Sequence, residues 1–252
     1  MKREKLFLST IDSKAGAAAR ELGVGIEIAD YCTAMNMDML LSETKPKVDA
    51  QVRNVSNRIF HGPFNELFPC AIDPLARDLA AKRYLQAVQM SVVYGAKRLV
   101  FHGGYLPHVY YPCWYTEQSI LFWKDFLKKI PENVTLYIEN VMESDPQWMA
   151  DIAAGVDDPR FRLCLDVGHA HICSEIPVEQ WLDTLAPWLG HFHLHNNDRN
   201  SDTHSPLNQG TIPMKEFLTR AEALCPDASY TLEVIDGRQG AQWLLQQGIL
   251  EE

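Results

Sequence analysis

Short apolar segments recur eight times along the chain, and each is followed by a longer segment with helical spacing. Runs of four to eight residues rich in aliphatic and aromatic side chains are typical of β-strands. We therefore predict eight strands, over residues 5–10, 25–30, 58–63, 98–103, 135–140, 162–167, 190–195 and 230–234.

Helix-start signals support this alternation. Asp73 followed by Pro74 can cap and open a helix, and Gly95 can end it. Asp145 followed by Pro146 repeats the opening signal. These signals predict that helices connect the strands.

Strands that alternate with helices favour a parallel sheet joined by crossovers, the α/β class. Eight such units in 252 residues fit a (β/α)8 TIM barrel better than an open, doubly wound sheet. The first strand is not followed by GxGxxG, which argues against a dinucleotide-binding fold. Because the chain contains no linker-like stretch, we expect residues 1–252 to form one domain.

Composition limits the classes of partner. A chain with 46% hydrophobic and 22% charged residues can bury a large core. The formal charge of −10 disfavours DNA without excluding a local basic surface. The six cysteines form no CxxC pair, and no apolar run suits a signal peptide or a membrane span. We expect a cytoplasmic protein with no membrane partner.

Polar residues at the ends of the strands indicate chemistry, because TIM-barrel active sites form at the carboxyl ends of the strands. Two further candidates, Asp202 and His204, lie in the loop after the seventh strand. Imidazole and carboxylate without thiolate suit zinc, manganese, iron or cobalt. Six consecutive predicted strands end in potential metal ligands: His61, His102, Glu139, Asp166 with His169, His193, and Glu233.

A structural explanation competes with this one. Any one of these histidines could be a hydrogen-bonded core residue, but a buried strand-end glutamate usually needs a cation beside it. Repetition over six strands favours a metal site. His191, His193 and His195 alternate and would face the same side of a strand, so spacing alone leaves open which of them binds metal. We assign His191 and His195 supporting roles by default.

Two regions are candidates for substrate contact. The loop "YLPHVYYPCWYTEQ" carries aromatic residues, among them Tyr105 and Trp114, which can stack on a sugar or base or instead pack over the barrel rim. Arg199 could clamp a phosphate oxygen or could be a solvated surface arginine.

The motifs "HGPF", "FHGG", "IEN", "LDVGHA", "HLHNND", "DTH" followed by "GTI", and "LEV" resemble those of the xylose isomerase-like TIM barrels, or AP endonuclease family 2. This superfamily includes endonuclease IV and many sugar isomerases and epimerases. The resemblance to endonuclease IV implies up to three zinc ions held by nine side chains: His61, His102, Glu139, Asp166, His169, His193, Asp202, His204 and Glu233.

The resemblance to the sugar isomerases and epimerases implies a smaller site. These enzymes need one metal, held here by the counterparts Glu139, Asp166, His193 and Glu233, and the two glutamates shuttle protons at the substrate carbon. The four residues are a subset of the nine. The ligand set therefore does not separate the two functions.

Some features depart from endonuclease IV. The loop after the second strand lacks an Arg-rich tip, and Phe64 stands near where that family inserts a tyrosine. The "GEG"-like turn appears as Asn208-Gln209-Gly210. These three departures put abasic DNA in doubt and leave Phe64 as a candidate substrate contact.

Three functions therefore compete. The first is a hydrolase with up to three divalent ions, zinc favoured and manganese an alternative, that acts on a phosphoester or phosphorylated sugar. The second is a one-metal sugar isomerase or epimerase that uses Glu139 and Glu233. The third is a catalytically silent metal-binding protein.

Overall fold

Eight parallel strands close into a barrel in the computed structural model, which describes residues 1–251. Each strand pairs with its neighbours in chain order, and β1 also pairs with β8. The (β/α)8 prediction is confirmed, and every strand begins and ends within two residues of its predicted limits. The strands are β1 Leu6–Ser9, β2 Gly25–Ile28, β3 Arg58–His61, β4 Arg98–His102, β5 Thr135–Glu139, β6 Phe161–Asp166, β7 Leu189–Leu194 and β8 Ser229–Leu232.

Helices connect the strands around the outside of the barrel. Asp73 caps the helix Pro74–Val93 by accepting a hydrogen bond from Leu75 N, and Asp145 caps the helix Pro146–Val156 by accepting one from Gln147 N, as the Asp-Pro signals predict. The α-helices among the described residues are α1 Ala15–Leu22, α2 Ala34–Met37, α3 Leu41–Val52, α4 Pro74–Val93, α5 Pro112–Leu127, α6 Pro146–Val156, α7 Val167–Cys173, α8 Val178–Leu185, α9 Met214–Leu224 and α10 Gly237–Gln246.

The barrel interior is layered because side chains alternate along each strand. A small buried apolar cluster fills one layer; its members are Phe7, Ile59, Val100, Tyr137 and Cys164. A larger apolar core lies between the strands and the helices. Two positions further along four of these strands, the same inward face carries His61, His102, Glu139 and Asp166. The candidate ligands therefore lie directly above a packed apolar layer, at the carboxyl end of the barrel.

Among residues 1–251, no helix is both long enough and apolar enough to cross a membrane.

Candidate metal centre

Glu139 lies at the centre of the strand-end layer and faces histidines on both of its oxygens. Its Oε2 atom is 3.3 Å from His61 Nε2 and 3.4 Å from His102 Nε2. Its Oε1 atom is 3.2 Å from His193 Nδ1 and 3.4 Å from His169 Nδ1. One carboxylate thus lies between two groups of imidazole side chains.

Glu139 forms one group with His61 and His102 and also belongs to a second group. This second group, the inner cluster, consists of Glu139, Asp166, His193 and Glu233. His193 Nδ1 lies 3.2 Å from Glu139 Oε1, 3.5 Å from Glu233 Oε1 and 3.9 Å from Asp166 Oδ2. All four side chains are buried. Strands β5, β6 and β7 supply the first three, and Glu233 directly follows the end of β8.

A third group, the outer cluster, consists of His169, Asp202 and His204. Asp202 Oδ2 is 3.2 Å from His169 Nε2 and 3.3 Å from His204 Nε2. Asp202 and His204 retain 36% and 29% of their side-chain exposure, so this cluster opens towards solvent. His204 adopts a left-handed backbone conformation, with φ at 44°, which is rare for a residue other than glycine.

These residues fit divalent metal ions. Two ligands about 2.1 Å from one tetrahedral ion lie about 3.4 Å apart, which agrees with the donor separations in all three groups. Among the described residues, the ion pairs of Glu139, Asp166 and Glu233 are all with histidines, and His193 Nδ1 has no hydrogen-bond partner. Buried carboxylates that face an unpartnered imidazole nitrogen are a donor set for zinc or manganese.

The electrostatics of the protein without bound ions point the same way. Burial alone would raise the pKa of Glu139, but His193, His102 and His169 hold it well below its usual range. Burial raises the pKa of Glu233, and the charges of Glu139 and Glu27 add to the effect. Protons on the histidines therefore balance the carboxylate charge, and a metal ion would take their place.

The pKa values of the histidines are shifted in both directions. Burial would lower the pKa of both His169 and His193, yet the neighbouring carboxylates raise each of them well above the usual value. Burial lowers the pKa of His102 to about 3, so this ring is neutral and ready to accept an ion near neutral pH.

Asn140 fixes the ends of β5 and β6. Its amide nitrogen donates to Asp166 O over 3.0 Å, and its amide oxygen accepts from Asp166 N over 2.9 Å. The Asp166 carboxylate also caps α7 by accepting from His169 N at 2.7 Å. Two candidate ligands, Asp166 and His169, are thus placed by one strand-to-helix turn.

His195 and His191 lie beside the candidate ligands, and the supporting roles expected for them stay a prediction. His195 Nε2 is 3.2 Å from Asp166 Oδ2, and its ring stacks on that of His204 with centroids 4.0 Å apart and planes inclined by 15°. His195 Nε2 also lies 3.7 Å from Asp202 Oδ1, so this side chain belongs to the same group of possible ligands as His169, Asp202 and His204. His191 lies deeper, within 2.7 Å of Ser229 Oγ, and burial lowers its pKa to about 4.

The predicted substrate contacts occupy different places. The Phe64 ring stacks on His102, with centroids 4.1 Å apart and planes 7° from parallel, so it borders the metal centre. Tyr105 is buried against Tyr115 and Trp148, and Trp114 Nε1 donates to Cys70 O at 2.8 Å. Both aromatics therefore pack over the rim, which is the structural alternative for this loop.

Arg199 is held away from the ligands. Its Nη2 atom donates to Ser174 O over 2.7 Å and lies 3.5 Å from Glu175 Oε2, at the connection between α7 and α8. The structure therefore favours the surface role for Arg199 in this conformation.

Sequence reasoning missed Glu27, which is fully buried on β2 beside His193. The signal was present, because Glu27 is the one charged residue in the apolar run "GIEIA". A charged residue within an apolar strand needs a buried partner just as a strand-end carboxylate does, and His193 is that partner for Glu27.

Comparison with known proteins agrees with this architecture. The chain matches the family described as xylose isomerase-like TIM barrel over residues 17–248. It is 23% identical over 218 residues to protein MJ1311 of Methanocaldococcus jannaschii, covering 81% of this chain and 70% of that protein.

Solved structures share the fold. The TTHB071 protein from Thermus thermophilus, soaked with ZnCl2, superposes with a TM-score of 0.76 at 24% identity, covering 96% of this chain and 97% of that one. D-psicose 3-epimerase from Clostridium cellulolyticum, solved with D-tagatose, gives a TM-score of 0.68 at 17% identity, covering 94% and 88%.

Proposed function

Because this chain belongs to the xylose isomerase-like TIM barrel family, we propose that it is a divalent-metal-dependent hydrolase with up to three ions, acting on a phosphoester or phosphorylated sugar. The observation that carries the proposal is the position of Glu139 between two sets of nitrogen ligands, with a third set at Asp202. A single ion at the inner cluster would leave His61, His102, His169 and His204 without a role as metal ligands. Zinc is the ion we favour, with manganese as the alternative.

The donor sets assign the residues to three positions. His61, His102 and Glu139 would hold one ion, the inner cluster a second, and the outer cluster a third. Divalent ions here would supply hydroxide near neutral pH, because coordination lowers the pKa of water from about 15.7 to about 7.

The residues themselves orient the substrate and limit water. Phe64 covers one face of His102 and provides an apolar wall beside the centre. The partly exposed outer cluster is the part of the site that a phosphate can reach first. Because the chain carries a formal charge of −10, we favour a small phosphorylated substrate over DNA.

Isomerisation or epimerisation of a sugar is the second candidate. Glu139 from β5 and Glu233 at the end of β8 both face His193 Nδ1, at 3.2 and 3.5 Å. Two glutamates on different sides of a substrate could remove a proton from the carbon next to a carbonyl and return one to it. Several solved neighbours carry epimerase names, among them a D-tagatose 3-epimerase-like protein with a TM-score of 0.73 at 17% identity.

Metal content separates these functions. Untagged protein is analysed by elemental mass spectrometry beside the variants His61→Ala and His204→Ala, with His108→Ala, an exposed loop position, as the matched control. The hydrolase proposal expects two or three ions in the wild type and the control, with fewer ions in both site variants.

Activity assays then use phosphorylated sugars, ketohexoses and an oligonucleotide with an abasic site. One ion that survives both substitutions, together with ketohexose turnover, would replace the hydrolase by the epimerase. Bound metal without turnover on any of the three would favour a catalytically silent metal-binding protein.

A further inference from the structure

Three of the candidate ligand histidines are oriented in the same way. His61 Nδ1 is 2.9 Å from Gly62 O, His169 Nδ1 is 3.1 Å from Asn140 O, and His204 Nδ1 is 2.8 Å from Glu233 O. In each ring, Nδ1–H donates to a backbone carbonyl. The Nε2 lone pair is thereby left facing a carboxylate of the centre.

His193 is oriented the opposite way. Its Nδ1 atom faces Glu139, Glu233 and Asp166, and its Nε2 atom points down into the barrel, where no backbone carbonyl among the described residues takes its proton. Glu27 Oε1 lies 3.0 Å from Nε2, although the ring N–H is not in line with that oxygen.

Glu27 is itself held firmly. Thr231 Oγ1 donates to its Oε2 atom over 2.5 Å, and His191 Nε2 lies 3.2 Å from the same oxygen. Its Oε1 atom has no hydrogen-bond partner among the described residues, which leaves His193 Nε2 as the group it can serve. Two buried polar atoms without hydrogen-bond partners, Glu27 Oε1 and His193 Nε2, thus lie 3.0 Å apart, and a hydrogen bond between them would satisfy both.

From this arrangement we propose that Glu27 is a positioning residue for the metal centre, accepting the Nε2 proton of His193 so that the Nδ1 lone pair faces the inner cluster. It does for His193 what backbone carbonyls do for the other three rings. Carboxylates that accept the second ring proton of a ligand histidine fix its tautomer and raise its basicity. Thr231 and His191 keep Glu27 in place.

A structural role alone would have a different signature. Glu27 is fully buried and accepts a hydrogen bond from Thr231 Oγ1, so its replacement by leucine leaves a buried donor unpaired and lowers the melting temperature whatever its role at the metal centre. If Glu27 only stabilised the fold, folded Glu27→Leu would still bind zinc with wild-type affinity. If it positions His193, the leucine variant would fold but would bind metal weakly.

The test measures zinc affinity and stability separately. Metal-free wild type, Glu27→Leu and Glu27→Gln are titrated with zinc against a chromophoric chelator, and their melting temperatures are recorded without metal. Glu132→Gln, at an exposed position before β5, is the matched control. The visible spectrum of cobalt-loaded protein reports the ligand geometry.

We expect folded Glu27→Leu to lose zinc affinity by about 10- to 100-fold, together with a lower melting temperature in the absence of metal. Glu27→Gln, whose amide oxygen can still accept the proton, should be intermediate. A folded Glu27→Leu variant with wild-type affinity and cobalt spectrum would overturn the proposal. If the leucine variant does not fold, wild-type affinity in Glu27→Gln would overturn it.

The inference rests on the proposed metal centre, and the two can fail separately. Glu139→Gln, titrated in parallel, shows whether the wild type binds zinc at the inner cluster at all. Unchanged zinc binding in Glu139→Gln would reject the metal centre itself. Loss of binding in Glu139→Gln with full binding in Glu27→Leu would reject only the role of Glu27.

Discussion

Oε1 of Glu139 lies 3.2 Å from Nδ1 of His193, although the two residues belong to strands β5 and β7, which are separated by β6. This contact passes over the end of β6 at the carboxyl end of the barrel. It joins the two ligand groups that share Glu139 into one centre, so this carboxylate is the first residue to test.

Glu139→Gln should abolish activity, by at least about 100-fold, and lower the metal content. The amide keeps the shape but loses the charge that two groups of histidines face. Turnover and elemental analysis are the measurements, and Glu132→Gln in the exposed loop before β5 is the control. An active, metal-replete Glu139→Gln variant would discard the whole site.

The stability of the metal-free protein should depend on pH through His204. Burial would lower its pKa, but Asp202 and Glu233 raise it from 6.5 to about 9. A raised pKa in the folded state stabilises the protein fully below the unfolded value, and this contribution is lost as pH rises through the folded value. The melting temperature of metal-free protein should therefore fall between pH 6.5 and 9.

Zinc should suppress this fall in melting temperature with pH, because the ion replaces the protons at the outer cluster. Melting curves at several pH values, with zinc and with excess chelator, make the comparison. The chelated protein should also melt at a lower temperature throughout, since a ligand bound only to the folded state stabilises it. A pH profile that is the same with and without zinc would contradict the assignment of His204 to the centre.

Strand positions were predictable because each strand has a short apolar run between polar turns. The buried face of α4 was harder to predict than the strand positions. The helix and its Asp73 cap are as predicted, but Leu75 and Leu79 are 75% and 44% exposed, whereas Ala80 and Tyr84 are buried. Leu75 lies about two and a half turns before Tyr84, and so on the opposite face. Spacing predicts a helix without deciding which face meets the barrel.

The site was predictable only in part, for a related reason. Strand ends converge in any such barrel, so His61 and Glu139 could be grouped from their positions in the sequence alone. Glu27 was not predicted because its proposed role depends on the orientation of the His193 ring, with Nε2 facing inward. The spacing of residues in the sequence does not determine that orientation. The packing of Tyr105 and Trp114 against the rim likewise depends on the path of a long loop.

Gly168→Ala should disturb the centre through His195. A Cβ atom at position 168 would lie 1.9 Å from Cε1 of His195, so the ring that contacts Asp166 must move. Overpacking of this kind costs about 1–3 kcal/mol. We expect lower stability by chemical denaturation together with weaker zinc binding.

A double variant supplies the control for that explanation. His195→Ala removes the ring that the new methyl group would strike, so the cost of Gly168→Ala should be much smaller in this background. The two changes would then be non-additive, as expected for residues in direct contact. Additive effects on the free energy of unfolding would show that the Gly168 substitution acts elsewhere.

Tyr115→Phe should destabilise the protein by leaving Oε1 of the buried Glu143 carboxylate without a donor, while Oε2 keeps its hydrogen bond from Val141 N. The Tyr115 hydroxyl donates to Glu143 Oε1 over 2.6 Å, and both side chains are almost completely buried. Loss of one partner of a buried polar pair costs about 1–3 kcal/mol. Tyr111→Phe, at a position 79% exposed just before the same helix, should change the free energy of unfolding by no more than about 0.5 kcal/mol.

The cost of Tyr115→Phe should also depend on pH. Burial raises the pKa of Glu143, while the Tyr115 hydroxyl opposes that shift, so removing the hydroxyl should raise the pKa further. An acid with a raised pKa loses stability as pH rises through its titration, because the folded state must give up a proton that it holds more tightly. Denaturation curves should therefore show a larger loss at pH 8 than at pH 5, and an equal loss at both would indicate that Glu143 is not the group left unpaired.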